Sequence, residues 1–140
     1  MSLNVELLES SFAKIKDRQA EFTEYFYTNL LNDYPEIKPL FDNIHMSKQQ
    51  EKLFQSLVLT VDNLRTPDVL TGSLKGLGTR HVKYGVLPEH YAMVGSSLLK
   101  TFAFCLQEEW TPNIEQAWIE AYGAITQLML DGLENWKVES

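Results

Sequence analysis

Apolar residues recur every three or four positions along most of the chain, the spacing that places side chains on one face of an α-helix. Within residues 18–32 this spacing produces the stripe Phe22, Phe26 and Leu30. An earlier helix is predicted from Asn4 to about Asp17. Alternation of apolar and polar residues, which is typical of half-buried strands, is nearly absent. The pattern predicts an all-α protein.

Four prolines stand where a helix would begin, because proline at the first helical position loses no backbone hydrogen bond. Pro35 opens a short helical turn, and Pro67, Pro88 and Pro112 open three longer helices. The same spacing predicts the buried face of each longer helix: Leu70, Leu74 and Leu77; Tyr91, Val94, Leu98, Phe102 and Cys105; Trp118, Tyr122, Ile125 and Met129. The chain is therefore predicted to be a stack or bundle of helices with short connections.

A further helix is indicated by Ser47, which is followed three residues later by Gln50. This pair has the spacing of a capping box, in which the serine hydroxyl accepts a hydrogen bond from the backbone at the start of the helix. Leu53, Leu57 and Leu64 keep the helical period behind it. We therefore expect Ser47 to be the N-cap of this helix.

The length of the chain and its net charge limit the number of domains and the kinds of partner that we expect. A chain of 140 residues, 44% of them hydrophobic, suits one domain spanning residues 1–140. The formal net charge of −7 disfavours nucleic acid and anionic membranes as partners. No apolar stretch has the length of a signal peptide or a membrane span, and the single Cys105 excludes an internal disulfide. A soluble, cytoplasmic protein is expected.

His81 stands out because it continues the apolar line of Leu70, Leu74 and Leu77 along one helix. From spacing alone, a buried histidine satisfied by a hydrogen bond is the simpler interpretation. The alternative is a ligand to a metal or to haem iron, for which neutral imidazole in an apolar pocket is well suited. Arg80 and Lys83 flank the histidine, disfavour its protonation and could pair with carboxylates of a cofactor.

The residues LGTRHVKYGVLPEHYAMVGSSLLKT, from Leu77 to Thr101, resemble the proximal region of bacterial single-domain globins and of the globin part of flavohaemoglobins. The resemblance continues in order over nearly the whole chain, through Tyr27, Tyr34-Pro35-Glu36, Phe41, Gln49, Leu53, Asn63-Leu64, Ala117-Trp118 and Ala121-Tyr122-Gly123. It implies a globin fold, a three-over-three helical sandwich around haem b, with His81 as the proximal ligand to the iron.

The same resemblance implies roles on the opposite, distal side of the haem. Phe41 matches the phenylalanine that packs on the haem face, and Leu53 matches the leucine that crowds the bound gas. Tyr27 and Gln49 match a polar pair whose hydroxyl and amide donate hydrogen bonds to that gas. Without the resemblance, Tyr27 would be assigned to a core aromatic cluster and Gln49 to a solvated first turn of helix.

On the proximal side, the resemblance implies that Tyr91 and a carboxylate orient His81. The family's carboxylate position falls on Asn135, so the neighbouring Glu134 is the candidate. The resemblance also assigns haem contacts to the following residues: Leu77, Arg80, Lys83, Val86, Tyr91, Val94 and Leu98.

These assignments predict reversible binding of oxygen, and of NO or CO, with slow release that suits scavenging or sensing better than bulk oxygen transport. One alternative is a nitric oxide dioxygenase, which would need a separate reductase because this sequence contains no flavin or nicotinamide domain. Others are a gas sensor and a haem-free interaction module. The oligomeric state is expected to be monomer or homodimer.

Overall fold

The computed structural model describes residues 4–42, 44–83 and 88–139, with side chains described except at 78–83, 88 and 131–139. In chain order the helices are α1 (Val5–Ala13), α2 (Gln19–Asp33), a 3-10 helix (Pro35–Phe41), α3 (Met46–Asp62), α4 (Pro67–Lys83), α5 (Pro88–Leu106), a second 3-10 helix (Gln107–Glu109) and α6 (Pro112–Glu139). These residues form no strand, so the predicted all-α class is confirmed. Pro35, Pro67, Pro88 and Pro112 each lie at the first position of a helix, as predicted.

The first helix is shorter than predicted. Asn4 is its N-cap, and its side-chain oxygen accepts a hydrogen bond from the Leu7 amide at 3.3 Å. The helix ends at Ala13, and turns follow instead of continuing to Asp17. Ile15 in this turn is fully buried, so packing of its side chain offsets the loss of further helical hydrogen bonds.

Arg18 lies in the turn between α1 and α2 and stabilises it with hydrogen bonds. Its Nη1 donates a hydrogen bond of 2.6 Å to the Cys105 carbonyl at the end of α5. Its other guanidinium nitrogens pair with both carboxylate oxygens of Glu21. The corner is therefore tied to a helix end that is distant in sequence, which local periodicity could not reveal.

The capping-box prediction for α3 is wrong. The helix begins at Met46, so His45 is the N-cap and Ser47 lies inside the first turn. The Ser47 hydroxyl lies 3.3 Å from Nδ1 of His45. Before α3, the Ile44 amide donates a hydrogen bond to the Phe41 carbonyl and closes a turn. The helix begins soon after this turn, at Met46, one residue before Ser47.

The main core is an aromatic cluster between α1, α2, α3, α5 and α6. Phe102 lies near its centre, stacked on Trp118 with ring centroids 4.2 Å apart and edge-on to Phe22 at 5.1 Å. Phe54 meets Phe22 and Phe12 at 5.8 and 5.6 Å. The predicted stripe of α2 (Phe22, Phe26, Leu30) is no more than 1% exposed.

One buried polar contact joins the first helix to the last. The Trp118 indole donates a hydrogen bond of 2.9 Å to the Ser11 hydroxyl, which in turn donates to the Leu7 carbonyl. Replacing Ser11 with alanine leaves a buried indole N–H without its partner, and we expect a loss of about 1–3 kcal/mol in the free energy of unfolding. Urea denaturation measures this loss. Ser10→Ala, at an exposed neighbour, is the control, and equal effects of the two substitutions would contradict the prediction.

Candidate functional site

Tyr27 places a buried hydroxyl between α2 and the start of α3. The residue is 5% exposed, and its hydroxyl lies 3.5 Å from the Gln49 carbonyl oxygen. At that distance the hydrogen bond is weak, so the hydroxyl is free to reorient toward a better acceptor at small cost. The Phe41 ring packs edge-on against the Tyr27 ring, with centroids 5.8 Å apart.

Burial raises the pKa of Tyr27 to about 12, against which the hydrogen bond to Gln49 acts only weakly. The phenol therefore keeps its proton at neutral pH and acts as a hydrogen-bond donor. A buried donor beside aromatic and aliphatic side chains is suited to a small polar ligand in a largely apolar pocket.

The raised pKa predicts a pH dependence of stability. The Tyr27 proton stabilises the folded state fully below the ordinary pKa of 10.0, and this stabilisation is lost as pH rises through about 12. Each pH unit in that window corresponds to about 1.4 kcal/mol. Tyr27→Phe is expected to remove this part of the alkaline destabilisation.

Urea unfolding of both proteins between about pH 9 and pH 12 measures the difference, since a slope that persists in the variant cannot come from this group. Tyr25→Phe controls for loss of a tyrosine hydroxyl from the same helix, because its ring instead stacks on Phe104 at 4.0 Å. Parallel pH profiles for wild type and Tyr27→Phe would contradict the prediction.

Two of the other predicted distal residues contact Tyr27: Phe41 through its ring and Gln49 through its backbone. Gln49 is half-buried in the first turns of α3, and its contact to Tyr27 is made by its backbone carbonyl. Leu53, one turn further along α3, and Phe41 are partly buried against the main core cluster. Val94 and Leu98 of α5 belong to the same cluster. The structure thus brings Phe41 and Gln49, which lie on two other elements, into contact with Tyr27.

Two of the predicted proximal residues, Leu77 and Tyr91, lie in a second, separate cluster. Leu74, Tyr91 and Met129 are its buried members, each no more than 8% exposed. Leu77 packs against them from α4. This cluster joins α4, α5 and α6, whereas the distal residues belong to the larger core.

For several predicted site residues the structure describes the backbone but not the side chain, and one predicted residue is not described at all. Arg80, His81 and Lys83 lie in the last turns of α4, and Glu134 lies in α6, but their side chains are outside the description. Val86 lies outside the described residues. Their assigned roles remain predictions.

The helices that carry the two sets of residues meet at α5. Within the described ranges, α2, which carries Tyr27, packs on α5, and α5 packs on α6. In the same ranges α3 contacts α1 and α2, and α4 packs extensively against α6. The Tyr27 region and the Leu74 cluster are therefore joined through α5.

Sequence reasoning missed the role of Gly95. A Cβ atom at this position would lie 2.5 Å from Cε2 of Tyr122, closer than real Cβ contacts come. The Tyr122 hydroxyl donates a hydrogen bond of 2.6 Å to the Tyr91 carbonyl. In the sequence, this close approach is signalled only by the glycine itself, which lies on the inward side of a helix one turn after Tyr91. Glycine lowers helix propensity, so its presence inside a helix suggests a packing reason.

Cys105 and two histidines with described side chains differ in exposure. The Cys105 thiol is buried in the main core cluster, and desolvation raises its pKa, as expected of a packed thiol. His45, at the start of α3, is exposed, and His90, in the first turn of α5, is half-buried.

The chain is similar to known globins over most of its length. The globin family model matches residues 24–129. A flavohemoprotein from Bordetella pertussis is 31% identical over 126 residues, which are 89% of this chain and 31% of that protein. A flavohemoprotein from Bacillus subtilis is 28% identical over 93% of this chain and 33% of its own length. The chain thus spans about a third of the length of these relatives.

Solved structures agree in fold. A bacterial globin from Campylobacter jejuni superposes with a TM-score of 0.80 at 25% identity, covering 95% of this chain and 96% of the other. An engineered carbene transferase from Rhodothermus marinus superposes with a TM-score of 0.84 at 23% identity, covering 96% and 94% of the two chains. None of the helices described here combines the length and apolarity needed to cross a membrane. The predicted globin fold is confirmed, and the chain belongs to the globin family.

Proposed function

We propose that residues 1–140 form one globin domain that binds haem b through His81 and reversibly binds a diatomic gas, with oxygen as the leading candidate and NO and CO as others. The observation that carries this proposal is the buried Tyr27 hydroxyl, which is weakly bonded and lies beside Phe41 at the start of α3. A protonated phenol in an apolar setting is the donor that a small polar ligand needs.

The residues present fit a flat, largely apolar cofactor. On one side they offer the Phe41 ring, the Leu53 side chain and the Tyr27 hydroxyl. On the other side Leu74 and Leu77 form an apolar line along α4, and His81 lies one helical turn beyond Leu77. The proposal places haem between these two clusters, which are distinct groups of buried residues.

Haem supplies a ferrous iron that binds the gas, with neutral imidazole as its protein ligand. Arg80 and Lys83, which flank His81, provide cations for the haem carboxylates. Tyr27 would rotate its hydroxyl away from the Gln49 carbonyl and donate to the gas, and the Gln49 amide would supply a second donor. Leu53 would limit the space available beside them.

Absorption spectra of the purified chain in ferric, reduced and oxygenated forms test this proposal. A Soret band that moves on reduction and again on exposure to oxygen is expected. A folded protein that takes up no haem would overturn the proposal and favour a haem-free interaction module instead.

The distal assignment predicts the rate of oxygen release. A hydrogen bond to a charged or strongly polarised acceptor contributes about 1.5–3 kcal/mol, which corresponds to roughly a ten- to hundredfold change in rate. Tyr27→Phe is therefore expected to speed oxygen dissociation by about that factor, as measured by stopped-flow displacement with CO. Tyr25→Phe is the matched control on α2, and unchanged release in Tyr27→Phe would exclude Tyr27 as a donor.

A second candidate function is nitric oxide dioxygenase activity with a separate reductase. It is favoured by the similarity to flavohemoproteins, of which this chain matches about a third. A reductase would have to supply electrons, because each cycle requires the iron to be reduced again. Sustained consumption of NO when a reductase and NADH are supplied would support this function, and a single stoichiometric turnover would count against it.

A further inference from the structure

Three aromatic rings form a stack that runs from the surface into the main core. Trp110, which is half-buried after the second 3-10 helix, lies parallel to Phe102, with ring centroids 6.2 Å apart and an interplanar angle of 3°. Phe102 in turn stacks on Trp118 at 4.2 Å, and these two residues are 1% and 5% exposed. The stack therefore connects a partly exposed indole to a buried indole through one phenyl ring.

The inner end of the stack lies beside a residue assigned to the haem pocket. Phe102 and Trp118 line a small apolar cavity together with Leu98, the α5 residue to which the resemblance gives a haem contact. Indole is one of the side chains that lose an electron most readily, and stacked rings shorten the gaps that the electron has to cross. An electron can therefore pass from Trp110 through Phe102 and Trp118 toward a haem bound beside Leu98.

The two indoles differ in the group that accepts their N–H hydrogen bond. Nε1 of Trp110 donates to the Glu115 carboxylate at 3.2 Å, whereas Nε1 of Trp118 donates to the Ser11 hydroxyl at 2.9 Å. An indole that has lost an electron becomes strongly acidic, and a carboxylate is a better proton acceptor than a hydroxyl. Trp110 can therefore release its proton to Glu115 and become a neutral radical, while Trp118 is suited to passing the electron on.

We propose that Trp110 is a surface oxidation site, at which an aromatic one-electron reductant supplies electrons for the reduction of hydrogen peroxide at the haem. This inference rests on the proposed function, since it assumes that the chain binds haem. The exposed carboxylates of Glu108 and Glu115 near Trp110 favour a neutral or cationic reductant, such as an aromatic amine, over an anionic one.

Hydrogen peroxide accepts two electrons and two protons at the haem, its O–O bond breaks, and two molecules of water leave. Each electron comes from Trp110, whose N–H bond breaks as the electron moves inward along the stack and the proton moves to Glu115. A reductant molecule then returns one electron to Trp110, and Glu115 returns the proton. Two reductant molecules are thus oxidised by one electron each, and the two protons that enter the water come from solvent.

Freeze-quench electron paramagnetic resonance of the ferric, haem-loaded protein mixed with hydrogen peroxide tests the inference. We expect a tryptophanyl radical, and a spin-trap adduct that peptide mass spectrometry locates at Trp110 in a yield independent of protein concentration. Trp110→Phe keeps a ring against Phe102 but is expected to lose both signals. Tyr25→Phe, at another half-buried ring, is expected to keep both. Haem-free protein treated in the same way is expected to give no adduct.

The role of Glu115 is tested with tetramethylbenzidine, a bulky aromatic amine, as the reductant. Glu115→Gln keeps an acceptor for the Trp110 N–H but removes the base, so we expect slower oxidation of the amine, while peroxide changes the Soret band at the wild-type rate. Glu108→Gln is the matched control, because it removes the same charge near Trp110 and leaves the hydrogen bond to Glu115 in place.

A wild-type adduct located elsewhere, with none at Trp110, would overturn the inference. Equal oxidation of tetramethylbenzidine by wild type and Glu115→Gln would also overturn it, as would an unchanged radical in Trp110→Phe. Wild-type protein that binds no haem would instead overturn the proposed function, and the inference with it. The two failures are distinguishable, because haem uptake is measured from the Soret band before any peroxide is added.

Discussion

His81→Gly is expected to lose stoichiometric haem binding, with haem retention weakened by roughly a hundredfold or more. The proposed iron ligand is a single imidazole at the end of α4, so its removal deletes the one covalent attachment between the protein and the cofactor. The glycine variant leaves a space in which free imidazole can bind the iron in place of the side chain.

Transfer of haem to an acceptor apoprotein, followed at the Soret band, measures haem retention. Adding imidazole is expected to restore retention and the wild-type spectrum in His81→Gly. His45→Gly is the control, because that histidine is exposed at the N-cap of α3. If His81→Gly keeps wild-type haem affinity and spectrum without imidazole, another residue holds the iron.

Phe102→Ala is expected to destabilise the fold by about 3–5 kcal/mol. The ring is 1% exposed and stacks on Trp118 at 4.2 Å, with Phe22 edge-on at 5.1 Å. Its removal opens a cavity between α2, α5 and α6 that these rigid rings cannot close. Since domains of this size are stable by about 5–15 kcal/mol, much of the total stability would be lost.

Phe104→Ala on the same helix is the matched control for this substitution. Phe104 is 40% exposed and stacks on Tyr25. Its replacement is expected to cost about 1 kcal/mol. Urea denaturation of both variants gives the comparison, and similar losses for Phe102 and Phe104 would show that the aromatic cluster is not the centre of the core.

For the proposed distal site, the sequence predicted the residues but not the contacts between them. The resemblance identified Tyr27, Phe41, Gln49 and Leu53 individually, and the structure places Phe41 and Gln49 in contact with Tyr27. The sequence did not show that the Tyr27 hydroxyl faces the Gln49 backbone carbonyl, because that contact depends on how α2 crosses α3. Their haem-related roles are still to be tested by the experiments above.

By itself, the sequence determined the helices and their buried faces. Helical periodicity and proline at the first turn are local properties, so Phe22, Phe26 and Leu30 could be assigned to the core without knowing their partners. The resemblance likewise determined the family.

Only the tertiary structure decided where α1 ends, where α3 begins and which groups meet across helices. The turn after Ala13 is stabilised by burial of Ile15 and by Arg18 reaching the Cys105 carbonyl. The contact of Tyr122 with Gly95 and with the Tyr91 carbonyl likewise joins α5 to α6. Each depends on residues far apart in the chain, whose approach is set by the packing of whole helices rather than by any local preference.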